Sequence, residues 1–229
     1  MLIDSVRAEL GPDCILGLRI PGSEQIKGGL TSEDMQEIAV SFAASGKIDY
    51  LNVIAGTNYS KMQRMEHWAP TPQPHGIFVP LAAAIKKRVS LPVFVAGRVT
   101  SPVLAEHIVA SGHADMVAMT RAHIADPEIV KKIMLGSLSD IRPCVGANVC
   151  ITLSGGPLRC FHNTDPGRDK IVQPIPISES PKAVSIIGGG VAGLEAARIA
   201  AMRGHRVTLY EASDHLGGRT ALWAKAPLT

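Results

Sequence analysis

Residues Gly188-Gly189-Gly190-Val191-Ala192-Gly193 fit the pattern GxGxxG, and an acidic residue, Glu211, follows 18 positions after the last glycine. The surroundings make the pattern informative. It comes directly after an apolar run at 183–187 and opens a stretch at 191–203 with helical spacing, while Glu211 closes a second apolar run at 206–210. In such a strand–turn–helix unit Gly188 allows the tight turn, Gly190 admits a diphosphate to the backbone N–H groups, and Gly193 lets helix pack on strand. A carboxylate placed like Glu211 accepts hydrogen bonds from ribose hydroxyls. A second glycine pair follows in Leu216-Gly217-Gly218-Arg219.

A second set of candidates is basic. Gly97-Arg98 and Thr120-Arg121 each close an apolar run just before a helical stretch, and Arg19 follows the run Ile15-Leu16-Gly17-Leu18. Backbone N–H groups at strand ends, close approach at a glycine and charge-assisted bonds from arginine together make a site for a phosphate dianion. The competing reading is that these arginines form ordinary surface ion pairs. Cys144, Cys150 and Cys160 are separated by five and nine residues, whereas Cys14 stands alone and reads as a buried residue at a strand start. Three thiolates suit an iron–sulfur cluster but are one short of a four-cysteine set. Zinc with His162 as fourth ligand and unliganded buried thiols are the other readings. The stretch 55–76 holds Asn58, Tyr59, His67, Trp68 and His75. A lone loop histidine is more often a hydrogen-bonding residue than a catalyst, so no catalytic residue is assigned.

The elements that must position these residues alternate. Strands are expected at 15–20, 50–54, 92–96 and 115–119, and helices at 32–45, 77–89, 101–111 and 127–135, the signature of βα units around a parallel sheet. Ser32 before Glu33 and Asp34, Ser101 before Pro102, and Asp126 before Pro127 mark helix starts. Residues 1–10 read as the tail of a helix stopped by Gly11-Pro12, so the chain is expected to begin in mid-architecture. If the last two strands close a (β/α)₈ barrel, Arg98 and Arg121 stand where such barrels bind phosphate. Between 140 and 181 periodicity is lost, and Pro174-Ile175-Pro176 with Ser178-Glu179-Ser180-Pro181 reads as a linker. The expected division is 1–140 barrel, 141–180 cysteine-rich connector and 181–229 the opening of a dinucleotide domain.

With 46% hydrophobic and 19% charged residues the chain belongs among globular proteins, and its charge of +3 is scattered. This gives no nucleic-acid or membrane footprint and points to small anionic ligands. Residues 1–10 lack the apolar core of a secretory signal and no run approaches 18 apolar residues, so a cytoplasmic location is expected. The residues leave the oligomeric state open, a homo-oligomer among the states they allow.

The segments 114–127 (ADMVAMTRAHIADP), 141–150 (IRPCVGANVC) and the GGGVAG turn, in that order, resemble one family across nearly the whole chain. It is the old yellow enzyme branch fused to a dinucleotide domain: trimethylamine and dimethylamine dehydrogenases, 2,4-dienoyl-CoA reductases and N-methylproline demethylases. The resemblance implies an FMN-binding (β/α)₈ TIM barrel represented by its C-terminal half, then the start of a Rossmann-like FAD/NAD(P)-binding domain. It implies that Gly97, Arg98 and Arg121 hold the FMN phosphate, that Arg19 faces the flavin ring, and that Cys144, Cys150 and Cys160 ligate a [4Fe–4S] cluster. The family pattern is Cys-x-x-Cys-x-x-Cys with a later fourth cysteine; here Ala147 takes the second position, which sets three cysteines against four ligands. The second glycine pair favours FAD or ADP over NAD as second nucleotide. The implied activity is electron transfer between a small substrate, an N-methylated amine or enoyl compound, FMN, the cluster and a second nucleotide, with NAD(P)H or an electron carrier as partner. A non-catalytic chain that needs a partner to supply four further strands is the alternative.

Overall fold

The computed structural model describes residues 2–152, 156–167, 175–223 and 225. The chain divides into two compact units, Met1–Pro166 and Gly167–Thr229. The first contains α1 (Leu2–Leu10), β1 (Gly17–Pro21), α2 (Ser32–Ala44), β2 (Tyr50–Ile54), α3 (Lys61–His67) and α4 (Val79–Lys86). It continues through β3 (Val93–Ala96), α5 (Pro102–Ala110), β4 (Met116–Ala118), α6 (Thr120–Ala125), α7 (Ile129–Met134) and α8 (Val149–Thr152). The four strands are parallel in the order β1-β2-β3-β4, each pair joined by a helical crossover as parallel pairing requires.

Strand alternation sorts the side chains. Leu51, Val53, Val93 and Val95 are fully buried and pack with Phe78, Ile85 and Ile108 of the helix layer. The opposite face carries Arg19, Asn52, Phe94 and Met116 in one register row, since Arg19 pairs with Asn52, Asn52 with Phe94 and Phe94 with Met116. Below that row the Tyr50 and Phe94 rings stack at 4.5 Å. Burial of a side chain such as Phe78 contributes about 1.5–3 kcal/mol, so the helix-facing layer is what holds the wall together.

Three expectations change. The N-cap of α2 is Thr31, not Ser32: its hydroxyl accepts from Asp34 N while Asp34 returns a bond to the Thr31 backbone, a reciprocal box Ser32 cannot make. Asp126 does not start α7, whose N-cap is Glu128; it ends α6, and its buried carboxylate accepts from Lys132 Nζ (2.6 Å), Arg142 N (2.8 Å) and Glu128 N (3.1 Å). Cys14 is exposed, because β1 begins only at Gly17 and the preceding loop lies outside the sheet. Up to Pro166 the cysteine-rich connector packs with the first unit, Arg142 Nη1 meeting Asn163 Oδ1 at 2.8 Å and Asn163 Nδ2 meeting Ile124 O at 3.0 Å. The connector residues 153–155 and 168–174, including Pro174 of the expected linker, lie outside the described residues.

The second unit holds β5 (Ala183–Ile187), α9 (Val191–Met202), β6 (Arg206–Tyr210) and a short α10 (Arg219–Trp223). β5 and β6 pair in parallel from Ala183↔Arg206 to Ile187↔Tyr210, with α9 as the crossover.

Candidate functional site

A cavity of about 500 Å³ opens at the C-terminal ends of all four strands of the first unit. Its wall takes Arg19 from β1, Ile54 from β2, Gly97 and Arg98 from the end of β3, and Thr120 and Arg121 from the start of α6. The structure thus brings together all five residues expected at this end of the sheet. The mechanism is topological: parallel βα units put every strand end, and every loop that follows, on one side.

Arg98 is the most constrained of them. Its backbone is left-handed (φ 51°), unusual for a residue with a Cβ, and the side chain is almost wholly buried, at 7% exposure. One guanidinium nitrogen donates to Pro70 O, whereas the buried Nε has no partner among the described residues. Burial, and then the like charge of Arg121, hold its pKa below the ordinary arginine value, which leaves a cation in want of an anion. Gly97 is required by packing: a Cβ there would lie 2.4 Å from the buried Phe78 ring. Arg121 Nη1 donates to Ala69 O (2.9 Å) and to Asn148 Oδ1 (2.5 Å). Arg19 is exposed on the strand face opposite the helix layer.

Both histidines of the 55–76 stretch are held by the fold. His67 Nδ1 donates to Ala55 O at 2.8 Å, and His75 Nδ1 lies 2.7 Å from Thr100 Oγ1. Burial, then Arg98, push the His75 pKa below its usual value, so its ring is neutral near pH 7. Sequence reasoning missed Asn148 and, within the 55–76 stretch, the part played by the carbonyls of Trp68, Ala69 and Pro70. The available signal was slight: asparagine tolerates the left-handed backbone (φ 56°) that Asn148 adopts after Gly146 and Ala147.

The three clustered cysteines are free and half-buried, and all line one small cavity together with Ala147. Its volume, about 20 Å³, is that of a single water site. Burial first, and then Cys144, raise the Cys150 pKa. His162 turns its Nδ1 to Pro143 O at 2.9 Å, and Phe161 lines that cavity in its place. Among the described residues no three His, Cys, Asp or Glu side chains are arranged to hold a metal ion. The donor set is one thiolate short and the space is far below a cube of iron and sulfide, so these residues do not fit a four-cysteine cluster.

In the second unit the glycines separate by role. Gly188 has φ 100°, and a Cβ on Gly193 would meet Gly188 O at 1.9 Å, whereas one on Gly190 would meet nothing. Gly190 is the extended N-cap of α9, and no side chain caps the first-turn N–H groups among the described residues. Glu211 Oε2 accepts from Gly189 N (2.6 Å) and Oε1 from Ser213 N (2.9 Å); the Ser213 and Gly189 amides hold its pKa down at about 2. Gly217 N donates to Gly189 O at 2.8 Å, so the second glycine pair packs on the first turn.

Comparison with known proteins agrees with this geometry. Residues 1–138 match the NADH:flavin oxidoreductase / NADH oxidase family and residues 186–226 the NAD(P)-binding Rossmann-like domain. The chain is 42% identical to the N,N-dimethylglycine/sarcosine dehydrogenase of Chromohalobacter salexigens, over 99% of this chain and 33% of that protein. It is 39% identical to a Rhizobium meliloti protein named "Probable N-methylproline demethylase", over 99% and 34%. Histamine dehydrogenase from a Rhizobium species superposes with a TM-score of 0.89 at 28% identity, covering 99% of this chain and 33% of that one. The chain therefore spans about a third of the length of the relatives it matches.

Proposed function

Because the chain belongs to the NADH:flavin oxidoreductase / NADH oxidase family, we propose that it is the phosphate-binding wall of an FMN site in a flavin-dependent oxidoreductase acting on an N-methylated amine. The observation that carries this is the buried Nε of Arg98, without a partner among the described residues, in a cavity of about 500 Å³ that Arg19 and Arg121 also line. That volume lies in the range of small-molecule sites, and the positive charge suits a dianion, so the residues fit FMN. Bound FMN supplies the hydride chemistry. Arg98 and Arg121 neutralise and orient the phosphate, with the Thr120 hydroxyl and the Gly97 backbone beside them, and Arg19 offers its guanidinium to the electron-rich edge of the ring.

The turn Gly188–Gly193 takes the diphosphate of a second nucleotide, FAD or ADP, through the open N–H groups at Gly190, with Glu211 toward the ribose. The cysteine set does not fit the iron–sulfur centre implied by the resemblance, being one thiolate short. NAD(P)H or a protein carrier completes the electron balance. The substrate class is supported by the amine dehydrogenase and demethylase relatives; an enoyl compound is the alternative.

Replacing Arg121 by alanine in the protein that carries this chain is expected to weaken FMN binding at least about tenfold, since a charged hydrogen bond contributes roughly 1.5–3 kcal/mol. Unchanged flavin content after dialysis would overturn the assignment. A second reading, in which the site is complete only with strands supplied from elsewhere, is favoured by the open edges at β1 and β4. Flavin retention and dye reduction by the isolated chain would remove it.

A further inference from the structure

Three successive carbonyls of the loop after α3 each accept from a different side chain. Trp68 O accepts from Asn148 Nδ2 at 2.5 Å, Ala69 O from Arg121 Nη1 at 2.9 Å, and Pro70 O from Arg98 Nη1. Asn148 also accepts, through Oδ1, from the same Arg121 Nη1 at 2.5 Å. A carbonyl on one side and a guanidinium on the other fix which way the amide points, because only Nδ2 can donate and only Oδ1 can accept. Asn148 thus grips both Arg121 and the backbone on which Arg121 leans. The cysteine loop presses on that backbone elsewhere: Thr71 Oγ1 donates to Val145 O at 2.5 Å, and a Cβ on Gly146 would lie 3.2 Å from Thr71 N and 3.3 Å from Arg98 Nη1.

We infer that Asn148, from the cysteine loop, is a positioning residue for the Arg121 guanidinium and thereby sets the affinity of the strand-end cavity for a phosphate monoester. The inference rests on the FMN-phosphate reading. Arg121 has five N–H donors in a planar fork, and engaging Nη1 with Ala69 O and Asn148 Oδ1 fixes the plane in which the others face the cavity. Without the amide, the guanidinium keeps one carbonyl and gains freedom to rotate, an ordering that phosphate binding must then supply. An aspartate at 148 places a full negative charge against Arg121 and competes with the phosphate for it.

The test uses the full protein that carries this chain, stripped of flavin and titrated with FMN and with riboflavin, which differ only in the phosphate. The readout is the ratio of the two affinities. Arg121→Ala should lower the ratio at least about tenfold. Asn148→Gly, which keeps the left-handed backbone at no steric cost, and Asn148→Asp should each lower it, the aspartate by about tenfold, and neither should lower it further in the Arg121→Ala background. If Arg121→Ala lowers the ratio while both Asn148 variants keep the native value, or weaken FMN and riboflavin alike, the positioning role is wrong and the phosphate reading stands. If all three variants keep the native ratio, the phosphate reading fails and the inference with it.

Discussion

Gly190 and Gly193 stand three residues apart in one turn, yet an added methyl meets open space at the first and a carbonyl oxygen at 1.9 Å at the second. The first is therefore free for ligand reasons and the second is demanded by the fold. Gly193→Ala must push α9 off β5 and is expected to destabilise the second unit by about 1–3 kcal/mol, read as a lower thermal midpoint. Gly190→Ala should leave that midpoint unchanged and weaken FAD or ADP binding at least about tenfold by calorimetry, through loss of the approach that a diphosphate needs. Native nucleotide affinity in Gly190→Ala would rule out diphosphate binding at this turn. The packing of Gly193 was legible in the sequence because it depends on a few neighbouring residues, and so was the placement of Arg98 and Arg121 at their strand ends. Asn148 was not, because its partners lie 80 and 27 residues away at Trp68 and Arg121, and only the folding of the parallel βα units brings them together.

Among the elements, β2, β5 and β6 stand where their apolar runs predict, residues 50–54, 183–187 and 206–210. The shorter α4 and α7, and the unforeseen α3 and α6, show the limit of the pattern. α3 has seven residues and none of them buried, so no apolar stripe announces it. α6 follows β4 almost at once, and a run such as Met119 to Ala125 reads equally as strand end or helix. The cysteine loop carries a prediction at this scale. Ala147 lines the same cavity as Cys144, Cys150 and Cys160, so Ala147→Cys supplies a fourth thiol on the same wall. Anaerobic reconstitution with iron and sulfide should load this variant with more of both than the native protein, followed by iron analysis and by the visible thiolate-to-iron absorption. Equal loading would show that the position of residue 147 does not limit cluster assembly, and would revoke the misfit argued from the native loop.

The first unit divides its labour between the two ends of its strands. At the C-terminal ends lie Arg98, whose buried Nε has no partner among the described residues, and the cavity it lines; at the N-terminal ends two carboxylates are paired. Asp49, just before β2, accepts from Leu16 N at 2.7 Å and pairs with Arg7, and Asp115, just before β4, accepts from Val93 N at 2.8 Å and pairs with Lys86. The same clamp, repeated two strands apart, ties each strand start to its neighbour. For Asp49 the Leu16 amide and then Arg7 lower the carboxyl pKa below 3.8, and for Asp115 Lys86 and then the Val93 amide do so. The folded state therefore binds these protons less readily than the unfolded chain. Their contribution is complete above the unfolded value near 3.8 and is lost as pH falls through it toward the lower folded values. Urea unfolding followed by circular dichroism should accordingly show stability falling steeply below about pH 4, and the Asp49→Asn, Asp115→Asn double variant should be less stable at pH 7 with a shallower fall. A native-like slope in that variant would place the acid-sensitive groups elsewhere. FMN affinity measured at pH 7 in the same variant should stay near native, because the clamps sit at the far end of the strands from Arg98 and Arg121.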